Sequence, residues 1–151
     1  MLRDIKNDMV HLMIILESVE KIKIYTKDFE TVEEFYASDE QKDFNASLLL
    51  LGNISEQTVK VSAELKGKYP QIAWAQIKGF RNRAAHDYTG IDSEVVFNII
   101  HSELEPLKTA IIEIINAELK TGNFDSEELM AAKESTFYRH VDFTSFNLGA
   151  S

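Results

Sequence analysis

The chain contains no cysteine. This excludes disulfides, thiolate-held metals and a cysteine nucleophile, and it fits a reducing cytoplasm. Proline occurs twice and glycine six times in 151 residues, so little interrupts long helices. Apolar runs such as Leu48 to Leu51 fall far short of the roughly 20 residues a membrane-spanning helix needs. The first residues, Met1-Leu2-Arg3-Asp4-Ile5-Lys6, lack a basic stretch leading into an apolar segment, so no secretory leader and no membrane association are expected. Positive charge is also scarce: the net charge is −9 and the pI about 4.9, which argues against tight non-specific binding to nucleic acid. There is no glycine-rich phosphate loop and no nucleophile elbow. His11, His101 and His140 lie far apart without ligand spacing. No metal site and no cofactor are therefore expected.

What is present is helical periodicity. Ile5, Met9, Leu12, Leu16, Val19 and Ile22 step by threes and fours, an apolar stripe on a first helix from about Leu2 to Ile24. Thr31-Val32-Glu33-Glu34 is a capping-box pattern opening a short helix. Ser38-Asp39 is the expected cap of a long helix through Phe44, Leu48, Leu51, Ser55, Val59, Ser62 and Leu65, ending near Gly67 and Pro70. A fourth helix is expected from about Ala73 to His86. Asp92 caps a further segment through Val95, Val96, Ile99 and Ile100. Ser102-Glu103-Leu104-Glu105 before Pro106 reads as a kink or a fresh start. The apolar pattern then continues from Leu107 to Leu119, and Gly122 ends it. No stretch sustains the alternation of a strand. The expected fold is all-α: an antiparallel helical bundle over residues 1–120, with a C-terminal extension over residues 121–151. In that extension Asp125 caps a short helix to about Lys133, and an aromatic stretch from Phe137 to Phe146 most simply packs on its own domain.

Charge is unevenly spread. Between Thr58 and His86, six cations (Lys60, Lys66, Lys68, Lys78, Arg81 and Arg83) face the single carboxylate of Glu64, a net +5 in an acidic chain. A solvated face explains most such runs. This one ends on Arg81-Asn82-Arg83-Ala84-Ala85-His86-Asp87-Tyr88, where a permanently charged guanidinium, an imidazole that titrates near neutral pH and a phenol lie close in sequence. Metal-free cleavage of RNA turns a ribose 2′-hydroxyl on the adjacent phosphate. It needs a base for that hydroxyl, an acid for the departing 5′-oxygen and positive charge for the phosphorane. Arg81 suits bidentate phosphate contact, His86 the proton transfers, Asn82 a supporting hydrogen bond, and Tyr88 phosphate orientation or base stacking. Geometry constrains the idea. Residues five apart lie about 140° apart around a helix, so Arg81 and His86 meet one phosphate only if His86 sits at a frayed end or a second subunit completes the site. Arg83 and Asp87, four apart, read as a surface pair. Trp74, Phe80 and Phe97 read as packing residues.

The Arg-x4-His-x-Tyr motif from Arg81 to Tyr88 resembles that of the HepT-like toxins of the HEPN superfamily. Tyr69-Pro70-Gln71-Ile72-Ala73-Trp74 and Ile77-Lys78-Gly79-Phe80 lead into it as they do in that family. Gly90-Ile91-Asp92 and Leu104-Glu105-Pro106-Leu107 follow suit. Ser55-Glu56 falls where members often carry Gly-Glu, and Leu49-Leu50 where they often carry Arg-Asn. The resemblance implies an all-helical homodimer with the two motifs facing each other. It implies metal-independent endoribonuclease activity through Arg81 and His86, with Asn82 and Tyr88 in support. It also implies a minimal nucleotidyltransferase antitoxin that adenylylates Tyr88. Two other readings compete: a non-catalytic HEPN partner of such a nucleotidyltransferase, favoured by the acidic pI and by Leu49-Leu50, and a plain helical dimerisation domain.

Overall fold

The computed structural model describes residues 3–86 and 90–148, with the side chains of residues 3, 4 and 86 left aside. Eight α-helices account for nearly all its regular structure: α1 (Arg3–Thr26), α2 (Val32–Ala37), α3 (Lys42–Lys60), α4 (Ala63–Lys68), α5 (Trp74–Lys78), α6 (Phe80–Ala84), α7 (Ser93–Thr121) and α8 (Ser126–Lys133). Two strands of two residues, β1 (Ala85–His86) and β2 (Gly90–Ile91), pair antiparallel between α6 and α7. The fold is an all-α bundle. No helix among the described residues is long and apolar enough to cross a membrane.

Helix α1 is the centre of the bundle, and side-chain bonds fix its neighbours' directions. Asp8 bonds Ser62, His11 bonds Gln57 and Ser18 bonds Asn53. Rising numbers on one side meet falling numbers on the other, so α3 runs antiparallel to α1. Glu20 pairs with Lys108 at 3.0 Å and Lys23 with Glu105 at 2.8 Å, which sets α7 antiparallel to α1 as well. The expected α1 stripe is buried throughout: Leu12, Val19 and Ile22 are fully inaccessible, and Ile5, Met9 and Leu16 nearly so. From α7, Val96, Ile99, Leu104, Leu107, Ile111, Ile114 and Ile115 join the same core. The exposed Lys23–Glu105 pair contributes only a few tenths of a kcal/mol. Apolar burial holds the helices together.

Several ends follow the sequence. Thr31 and Glu34 form the reciprocal capping box. Asp92 accepts from the backbone N–H groups of Glu94 and Val95, and Asp125 from that of Glu127. Gly122 closes α7 at φ +83°, a left-handed position that suits glycine.

Four expectations need correction. Ser38-Asp39 does not cap α3: residues 38–41 form a 3₁₀ turn in which Asp39, Glu40 and Gln41 hold φ of 50°, 56° and 67°, and Gln41 precedes α3 without a side-chain cap. Helix α3 stops at Lys60 instead of continuing towards Gly67. The buried carboxylate of Asp8 takes both the N–H and the hydroxyl of Ser62, at 2.8 and 2.5 Å, and Ser62 caps α4 by accepting from Leu65 N. The early stop goes with a rotated face. Phe44, Ser47, Leu51, Ile54 and Thr58 are buried, whereas Val59 stays 55% exposed. The expected helix from Ala73 to His86 is two short helices meeting at Gly79, followed by the extended residues Ala85 and His86. Finally, no fresh helix starts at Pro106, because α7 passes through it as one helix. Ser102 caps nothing there, and its hydroxyl donates back to Asn98 O at 2.6 Å. An interior proline costs roughly 3 kcal/mol, and the buried row from Leu104 to Ile115 offsets it.

The C-terminal segment folds back on the bundle. Val141 and Phe146 are buried in the core, and Asn116 of α7 clamps the chain by donating to Ser145 O and accepting from Asn147 N. Glu17, buried on α1, accepts from the backbone N–H of His140 at 2.9 Å and meets its Nδ1 at 2.6 Å. His140→Ala removes one of these partners from a buried carboxylate and should cost about 1–3 kcal/mol. Urea unfolding should show the loss, and proteolysis should nick the variant beyond Lys133 sooner than the wild type.

Candidate active site

The segment carrying the motif is held to α3 from its N-terminal side. Ser55 donates its hydroxyl to Ile77 O at 3.0 Å, where α5 ends. Gly79 then breaks the helix, and its N–H reaches back to the carbonyls of Ala75 and Gln76. Phe80 and Ala84 are fully buried and anchor α6 to the core. With that face turned inward, Arg81 and Asn82 are turned out and exposed. They line a groove of about 470 Å³ against α3, with Leu49, Leu50, Gly52, Asn53, Ser55, Glu56 and Lys78 on its other walls.

The groove therefore contains Leu49 and Leu50, the pair expected to stand where the resembled family often carries Arg-Asn. Leu49 is 71% exposed and sits with Leu50 beside Arg81, where an Arg-Asn pair would have added charge. Sequence reasoning did not find Lys78 and Gly52 as groove residues. The basic run was a signal for Lys78. Gly52 had none beyond being a glycine inside a helix, a placement that costs about 1 kcal/mol relative to alanine.

Half of the basic run is spoken for. Lys60 lies 3.6 Å from Glu56, Lys68 reaches the buried Glu118 at 2.8 Å, and Arg83 holds Glu103 with both arms of its fork at 2.9 and 2.6 Å. Arg83 also lies 5.9 Å over the Phe80 ring. The expected pair of Arg83 with Asp87 would need α6 to continue another turn. The helix ends at Ala84, and Asp87 is outside the described residues. Among the described residues, no carboxylate pairs with Arg81 or Lys78. Burial and the nearby Lys78 charge lower the pKa of Lys66, against a smaller opposite pull from Asp8.

The exit from α6 removes the 140° problem. Ala85 leaves the helix with extended torsions, and its neighbour Ala84 accepts from Asp92 N at 2.7 Å. His86 then stands on β1 opposite Gly90, whose φ of +119° is a glycine conformation. The backbone of His86 is thus carried on a short hairpin instead of around a helix from Arg81. The His86 side chain and Tyr88 lie outside the described residues. The other histidines have structural partners: His11 on Gln57, His101 on Phe97 O and His140 on Glu17. Among the described residues no cluster of three His, Asp or Glu side chains could hold a metal ion. Trp74 is half-buried and donates its ring N–H to Tyr69 O at 3.0 Å.

Comparison with known proteins agrees with the motif. The ribonuclease HepT-like family matches residues 15–114. A Methanocaldococcus jannaschii protein named "Putative RNase" is 32% identical over 113 residues, covering 75% of this chain and 88% of that protein. A longer protein of the same organism, "Gamma-glutamylcyclotransferase and putative RNase", is 29% identical over 82% of this chain, which spans only 53% of its length. A "Probable ribonuclease HepT" of Thermococcus cleftensis is 27% identical over 62% of this chain and 83% of its own. No solved structure matches the chain. The match spans α1 from its middle through most of α7, and so takes in the groove, the hairpin and the Arg-x4-His motif; this chain belongs to the HepT-like family of ribonucleases and is an enzyme of the endoribonuclease class.

Proposed function

We propose that the chain is a metal-independent endoribonuclease toxin that acts as a homodimer, with Arg81 and His86 as its catalytic groups and Asn82 and Tyr88 in support. The observation that carries this reading is the groove in which Arg81, Asn82 and Lys78 converge on α3, next to a hairpin that takes His86 off the helix. A phosphodiester of single-stranded RNA occupies the groove with its phosphate on Arg81. The 2′-oxygen attacks phosphorus as one imidazole takes its proton. The bond from phosphorus to the 5′-oxygen breaks as a second imidazole donates a proton there. One protomer supplies one motif histidine, so His86 of each protomer in a two-fold dimer provides the base and the acid. The exposed Leu49, beside Arg81, gives such a dimer an apolar contact at the groove edge. In this reading a minimal nucleotidyltransferase is the antitoxin and moves AMP from ATP to the hydroxyl of Tyr88, releasing pyrophosphate. The added bulk and negative charge close the site to RNA.

The test is purified protein on single-stranded RNA with EDTA present. The expected products carry 2′,3′-cyclic phosphate and 5′-hydroxyl ends. Intact RNA, with Tyr88 shown unmodified by mass spectrometry, would end the catalytic reading. A second reading would then take its place: a non-catalytic partner of a nucleotidyltransferase. Leu49 and Leu50 in the groove wall favour it, because they leave fewer cations for RNA.

A further inference from the structure

Gly52 sits inside α3, ten residues after its first residue and eight before its last, where glycine is the poorest helix former after proline. Its backbone has ordinary helical torsions, since the positive-φ glycines of the described chain are Gly90 and Gly122 alone. No turn or left-handed conformation therefore requires a glycine at this position. What lies over it is Arg81. A methyl group built on Gly52 would meet Arg81 Cδ at 3.5 Å and Arg81 Nη1 at 3.7 Å, and, outside its own helix, no other atom of the described residues within 4 Å. These are ordinary van der Waals distances, so alanine fits. One further carbon would enter the space the guanidinium arm occupies. Arg81 is exposed, so it would swing aside into solvent and leave the core undisturbed.

We infer that Gly52 is a positioning residue for RNA cleavage: its missing side chain is the seat that lets the Arg81 arm lie across α3 and aim its guanidinium into the groove. The inference rests on the reading of Arg81 as the phosphate-binding cation. It explains why a helix-breaking residue stands where the arm lies over α3. It also makes the size of residue 52 the control on Arg81 orientation.

Gly52→Ala, Gly52→Leu and the double variant Gly52→Leu/Arg81→Ala test it, with kcat, KM, thermal melting and the ¹⁵N-labelled Nε–H resonance of Arg81 as readouts. Gly52→Ala should melt no lower than wild type and leave the Arg81 resonance in place. Gly52→Leu should melt near wild type, shift the Arg81 resonance and lose kcat by roughly a hundredfold, the scale of an ångström-size misplacement. The double variant should be no slower than Arg81→Ala alone, because the seat acts only through Arg81. Gly52→Gln, whose amide reaches water, replaces the leucine variant if that one unfolds. Full kcat with an unmoved resonance in the large variant would overturn the inference. So would a further loss when Gly52→Leu is added to Arg81→Ala. If wild type leaves RNA intact, the ribonuclease reading falls separately, and the resonance alone then decides: shifted upholds the seat, unshifted overturns it.

Discussion

His86→Ala should lower kcat on RNA by about 10²–10⁴, the range for losing a positioned acid or base, while the melting temperature stays near that of wild type. The backbone at His86 is held by its pairing with Gly90, so the fold should survive the change. Arg81→Ala should cost about 10²–10³ in kcat, the scale of removing one preorganised charge from a developing oxyanion. Arg81→Lys should not restore it, since an ammonium lacks the planar fork. The pH profile separates the two roles. If His86 of one protomer is the base and its partner's His86 the acid, kcat/KM follows a bell whose two limbs belong to the coupled pair. Arg81→Lys should lower the bell without moving its limbs. A sigmoid with one limb would point to a single titrating group. Full activity in His86→Ala would remove this residue from the chemistry altogether.

The largest expected effect on stability lies elsewhere, at Glu118. Its side chain is wholly buried on α7, yet both oxygens have donors: Lys68 at 2.8–3.0 Å, the Tyr69 hydroxyl at 2.5 Å and Asn123 at 2.8 Å. Burial pushes this carboxyl up in pKa. Hydrogen bonds from Lys68, Tyr69 and Asn123, together with the Lys68 charge, outweigh that push and hold it below the usual carboxylate range. The same contact, with burial first, raises the pKa of Tyr69 far above that of a free phenol. The cluster ties the end of α4 to the end of α7, and Asn123 joins it just after the Gly122 turn. Glu118→Ala leaves Tyr69 and Asn123 without an acceptor and opens a cavity. The expected loss is on the order of 3 kcal/mol, or roughly 10 °C in melting temperature for a chain of this size.

The pH dependence has a definite sign. A carboxyl with a depressed folded pKa contributes fully above its unfolded value of about 4.3 and loses that contribution as pH falls through the folded value. Stability from Glu118 should thus be flat between pH 6 and 8 and fade in the acid range. Glu118→Gln should be less stable than wild type at neutral pH and should show a shallower acid limb. Urea midpoints measured from pH 3 to pH 8 would decide. Parallel acid limbs would mean that Glu118 stays charged throughout or is paired equally in the unfolded chain.

The sequence by itself determined the fold class and most helix starts and stops, because those are local properties. Period-3.6 apolar stripes bury one face, Thr31, Asp92 and Asp125 satisfy the orphan N–H groups next to them, and Gly122 alone can take its left-handed turn. It also carried the Arg81 to Tyr88 motif, whose residue types are legible without coordinates. The tertiary structure decided what depends on partners distant in sequence. Asp8 ends α3 by taking Ser62, a contact across 54 residues that no local window contains. Glu17 holds His140 across 123 residues, which is what folds the tail back. Pro106 stays inside α7 because burial on both sides of it outweighs its missing N–H. The groove belongs to the same class. Leu49, Gly52, Lys78 and Arg81 become neighbours only when Ser55 bonds Ile77 and the buried Phe80 turns α6 so that Arg81 faces α3. Chemistry of single residues is written in the chain. Which of them share a site depends on long-range packing, because burying one face of each helix fixes what the opposite face presents.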